Sequence, residues 1–127
     1  MSKTKAAALY DFWSSFGLPA YEENCVPTGD EAPFFPYITY NVSTDSFGAE
    51  VSLVSSLWYR GTSWRDANAK AEEISEEIGR GGIFLKCKGG TIWLKRGVPF
   101  AQSMGDPSDT AIKRKILNVT AEFITAD

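Results

Sequence analysis

The last stretch of the chain alternates without a break. Leu117, Val119, Ala121 and Phe123 are apolar, and Asn118, Thr120 and Glu122 between them are polar. A period of two puts the first set on one face of an extended strand and the second on the other. Such a strand, predicted over residues 112–124, cannot bury its apolar face alone. The chain must therefore build a sheet and pack something against one side of it.

Partner strands are legible upstream. Ile38, Tyr40 and Val42 share a face in a strand over 37–43, and Val51, Leu53, Ser55 and Leu57 share one over 49–60. Thr44-Asp45-Ser46 between them is a turn signal, so the two predict an antiparallel hairpin. A second hairpin pairs 83–88 with 91–96 around Gly89-Gly90, where glycine supplies positive φ.

Two segments carry helical spacing instead. Ala8, Leu9, Phe12, Trp13 and Phe16 form one apolar stripe over 5–16, closed by Gly17. Ala67, Ala71, Ile74 and Ile78 form another, which starts at the capping residue Ser63, with Asp66 three positions on, and ends at Gly79. Residues 20–33, with Pro27, Gly29 and Pro33, read as a turn-rich connection, and 97–110 as a second long loop. The expectation is one α+β domain over 1–127, in the order α-β-β-α-β-β-β. Its antiparallel sheet would carry both helices on one face. The predicted core is Leu9, Phe12, Trp13, Ile38, Tyr40, Leu53, Leu57, Ala67, Ala71, Ile74, Ile78, Leu117, Val119 and Phe123.

The same sequence is poor in chemistry. It contains no histidine, which removes Ser-His-Asp and Cys-His arrangements, His-based zinc sites and the commonest general base. Cys25 and Cys87 stand in no metal or redox spacing and read as reduced thiols, with a disulfide as the alternative. Gly79-Arg80-Gly81-Gly82 lacks the Lys-Ser/Thr and helix of a phosphate loop. Glu72, Glu73, Glu76 and Glu77 read as a solvated helix face, and Asp106-Pro107-Ser108-Asp109 as a turn. No catalytic residue, metal or organic cofactor is expected. No apolar run reaches the ~18 residues of a membrane helix, and Tyr10-Asp11 interrupts the short apolar start that would otherwise suggest a signal peptide.

A formal net charge of −3 argues against a dedicated nucleic-acid binder. Trp58, Trp64 and Trp93 lie near cations, so stacking on single-stranded bases is kept as an alternative to packing. Phe34, Phe35, Val98, Phe100 and Met104 are apolar in or beside predicted loops, which makes them candidate subunit contacts. The basic residues Lys86, Lys88, Lys95 and Arg96 read as solvated strand positions or a local basic patch.

An ordered set of segments carries a resemblance. It comprises Ala8-Leu9-Tyr10-Asp11-Phe12-Trp13, Phe35-Pro36-Tyr37-Ile38-Thr39-Tyr40, Ser56-Leu57-Trp58-Tyr59-Arg60, Gly81-Gly82, Trp93-Leu94-Lys95-Arg96-Gly97, Pro99-Phe100-Ala101-Gln102 and Asn118-Val119-Thr120-Ala121-Glu122-Phe123. Together they resemble the tail-terminator, or tail-completion, proteins of long-tailed bacteriophages and prophages of Gram-positive bacteria, often labelled minor tail or minor capsid proteins. The resemblance implies a non-enzymatic subunit, made in the host bacterial cytoplasm and located in the virion tail or neck. It implies a ring, six-fold by expectation, that caps the tail tube, ends its polymerisation and meets the head connector. The implied partners are other copies of itself, the major tail tube protein and a head-completion protein. DNA would only pass through the lumen, which the resemblance implies Lys86, Lys88, Lys95 and Arg96 could face, and no membrane is involved. Another neck protein is the neighbouring reading.

Overall fold

A computed structural model describes residues 3–127. Helix α1 (Lys5–Trp13) starts where Thr4 Oγ1 accepts from the Ala7 N–H at 3.1 Å. It tightens into a 3₁₀ turn (Ser14–Phe16) and stops at left-handed Gly17, φ +79°. Strands β1 (Ala20–Glu22), β2 (Tyr37–Tyr40) and β3 (Ala49–Arg60) follow. Then come α2 (Arg65–Ile78), β4 (Ile83–Cys87), β5 (Gly90–Gly105) and β6 (Ile112–Thr125). The strands make one six-stranded sheet in the order β1-β2-β3-β6-β5-β4.

All pairs are antiparallel except β1 with β2, which are parallel. The sheet is therefore mixed, where a purely antiparallel one is expected from sequence. The extra strand lies inside the predicted connection 20–33. Its three residues sit between Pro19 and the prolines at 27 and 33, free of proline themselves, and the Pro19 carbonyl accepts from the Ile38 N–H at 2.8 Å to set the register. A three-residue strand is too short to display a period.

The predicted loop 97–110 is also corrected. β5 runs on to Gly105, interrupted by a bulge in which residues 97–100 oppose the single residue Asn118. The Asn118 amide holds the bulge, donating to the Pro99 carbonyl at 3.0 Å and to Gln102 Oε1 at 3.3 Å. Only 106–111 turns, and there Asp106 Oδ1 accepts from the Ser108 N–H and hydroxyl as the Asp-Pro-Ser-Asp reading expects. Two boundaries move by a residue. Lys88-Gly89, not Gly89-Gly90, makes the β4–β5 turn, because Gly90 already pairs with Cys87. Trp64, not Ser63, is the N-cap of α2, though Ser63 Oγ still accepts from the Arg65 N–H at 3.0 Å.

Both helices pack on one face of the sheet. Leu9, Phe12 and Trp13 of α1 join Ala71, Ile74 and Ile78 of α2 over Leu53, Leu57, Leu117, Val119 and Phe123, all buried in one cluster. Each residue of the expected core is buried. Ile92 and Leu94 of β5 complete it. Helix α1 touches both edge strands, β1 and β4, so the sheet curls around it. Among the described residues no helix is long and apolar enough to cross a membrane.

Candidate interaction surfaces

The face turned away from the helices carries two transverse rows of side chains, fixed by strand register. In the first row Tyr37 of β2, Trp58 of β3, Arg114 of β6 and Met104 of β5 are successive partners. Tyr37 stacks on Trp58 at 6.2 Å and 16°, and Arg114 lies 4.7 Å from the Trp58 ring on the next strand. The indole N–H donates to Thr39 Oγ1 at 2.8 Å, and Arg114 Nε donates to Ser56 Oγ at 3.0 Å. Phe35 and Tyr21 extend the row, packing on Tyr37 at 5.4 and 6.3 Å. Burial pushes the Tyr37 phenol up from its ordinary pKa.

The second row runs from Glu50 of β3 through Glu122 of β6 and Trp93 of β5 to Phe84 of β4. Lys95 closes it, 3.4 Å from Glu122, 3.7 Å from Glu50 and 4.3 Å from the Trp93 ring centre. Phe84 stacks on Trp93 at 5.5 Å and remains 62% exposed.

The residues singled out from sequence scatter over this frame. Phe34 is 92% exposed, Val98 is fully exposed at the crest of the bulge, and Met104 is half exposed in the first row. Phe35 is partly covered by Tyr37. Phe100 is partly buried, packing on the core edge beside Ala71 and Ser75 of α2. The four basic candidates do not share a face. Lys86 and Lys95 alternate outward on β4 and β5, and Lys95 is already held by two carboxylates. Arg96 points to the helix side and donates to Ser75 Oγ at 2.9 Å, and Lys88 sits in the turn.

The aromatic residues considered for base stacking are likewise partnered. Trp58 has Tyr37 and Arg114 on its two neighbouring strands, Trp93 has Phe84 and Lys95, and Trp64 has Lys113 within 5.8 Å. Among the described residues no group of His, Cys, Asp or Glu is gathered to hold a metal ion. Cys25 is exposed and Cys87 buried, both free thiols, and burial raises the Cys87 thiol pKa.

One groove of about 860 Å³ opens between α1 and edge strand β4. Ala8, Phe12, Ile83 and Leu85 floor it, with Lys3, Lys86, Asp11 and Glu77 on its lining and Lys3 paired to Asp11 at 2.6 Å. Sequence reasoning missed it, since it depends on where α1 lands beside β4.

No protein-family model matches the chain, and no curated protein does. A chain in the solved structure of the virion of a native gene transfer agent (GTA) particle is similar, with a TM-score of 0.62 and 20% sequence identity. The likeness spans 94% of this chain and 93% of that one, and shows a shared fold.

Proposed function

We propose that this protein is a structural subunit of a phage-like virion, and within it the tail terminator that caps the tube and joins it to the head connector. The observation that carries the reading is the fold likeness to a virion chain over nearly the full length of both. Two features support it. Large apolar side chains (Phe34, Phe47, Phe84 and Val98) stand exposed on rigid elements and turns, as expected of a surface completed by neighbours. The outward rows are saturated with their own partners, which suits a scaffold better than a reactive cleft.

Deleting the gene from a strain that produces the particles tests this. The expected result is unjoined heads together with tubes of abnormal length, and the chain should be present in particles purified from the parent strain. Unjoined tails of normal length would move the protein to another station in the neck. Normal tailed particles after deletion would refute a virion role.

A further inference from the structure

The sheet is electrically divided along its strand order. Residues 20–60, which supply β1, β2 and β3, contain six carboxylates and a single cation, Arg60, for a formal charge of −5. Residues 80–127, which supply β4, β5 and β6, contain eight cations against four carboxylates, for +4. Because β1-β2-β3 form one half of the sheet and β6-β5-β4 the other, the acidic half ends at edge β1 and the basic half at edge β4.

Each edge carries exposed charges that are not paired within the chain, although Asp11 and Glu77 also line the groove beside β4. Asp30 and Glu31, in the connection beside β1, are exposed, and so are Arg80, Lys86 and Lys88 around β4. Among the described residues none of these five makes an ion pair inside the chain. Each edge also bears an exposed aromatic ring, Phe34 on the acidic side and Phe84 on the basic side, the latter on the lining of the α1–β4 groove. Both edge strands have free backbone hydrogen-bonding groups on their outer side.

From this we infer that the subunits associate head to tail. The acidic β1 edge of one copy meets the basic β4 edge of the next, and Phe34 enters the groove between α1 and β4. The occupant of each edge is a second copy of this chain, chosen by charge complementarity. Such a heterologous contact has no two-fold axis, and it closes into a ring when the rotation per copy divides a full turn. The inference rests on the virion reading and adds which surfaces make the ring.

Charge reversal in the particle-producing strain is the test, with the gene deleted and variants supplied in trans. Asp30→Lys/Glu31→Lys and Lys86→Glu/Lys88→Glu each place like charges across every contact. Each should lower the yield of tailed particles by at least roughly 100-fold, because like-charge juxtaposition across an interface is strongly unfavourable. All four substitutions in one chain restore opposite charges and should bring the yield back. Melts of the purified variants should match the parent, as all four positions are exposed. If each pair abolishes assembly and the four together do not restore it, the edges meet other proteins and the inference fails. It also fails if either pair alone assembles normally. In both cases the virion reading stands, and it falls only if the deletion itself leaves normal particles.

Discussion

Substituting alanine at Gly82 would place a Cβ 2.6 Å from the Leu94 carbonyl oxygen and 2.8 Å from Trp93 Nε1, at a backbone φ of +80°. The left-handed conformation costs an L-residue roughly 1–2 kcal/mol. Contact with a strand carbonyl cannot be relieved by a side-chain rotation, so overpacking adds about 1–3 kcal/mol. The restricted unfolded chain returns about 0.4–1 kcal/mol. The net expectation is a loss of about 2–4 kcal/mol by these same terms, or a fall in Tm of about 10 °C for a domain of this size. Gly81, the preceding residue, is the internal control. A Cβ there meets nothing within 4 Å and its φ is not positive. Gly81→Ala should leave the melt unchanged or raise it slightly. Urea unfolding followed by tryptophan fluorescence measures both. Equal stability of the two variants would mean that the turn from α2 into β4 does not need the close approach of Gly82 to β5, and the reasoning would fail.

Other outcomes follow from the same structure. Ile74, buried under α2, should cost roughly 2–5 kcal/mol when cut to alanine, and a change in unfolding free energy below about 0.5 kcal/mol would mean the helix face is wrong. A thiol reagent should label Cys25 at once and Cys87 only on unfolding, since Cys87 is buried and its pKa is raised; equal rates would contradict its burial. The Arg60 guanidinium, 2.7 Å from Asp109, holds that carboxyl below its ordinary pKa, with the Ala111 N–H assisting. Its contribution is therefore present above the ordinary carboxylate pKa and is lost as pH falls through the depressed value. Asp109→Asn should flatten the acid limb of the stability profile and leave neutral pH little changed, and an unaltered acid limb would count against the pair.

Much of this fold is readable from side-chain periodicity. β3, β6 and both helices carry long, regular stripes, and every residue expected in the core from those stripes is buried. The failures have identifiable causes. In β5 the residues facing the helices are Ile92, Leu94 and Arg96 before the bulge and Ala101 and Ser103 after it, partnered with successive inward residues of β6. The bulge inserts an odd number of extra residues, so even positions face inward on one side of it and odd positions on the other. Alternation read along the sequence therefore ends at Arg96, and the rest looks like loop. Phe100, placed in a loop by that reading, is partly buried against the core cluster. The two outward rows were not legible for a different reason. They join residues such as Tyr37, Trp58, Arg114 and Met104, which only pairing of distant strands brings side by side.

The bulge at 97–100 also separates β5 into two lengths of ladder that are each anchored independently, one to β4 and β6 and the other to β6 alone. A residue gained or lost within it need not propagate into either length. It is thus the joint at which to graft a peptide tag, and a tag at the exposed Val98 would also probe whether neighbouring subunits cover it. Gly97 limits where the graft can begin, since a Cβ there would come 2.9 Å from the Asn118 carbonyl oxygen.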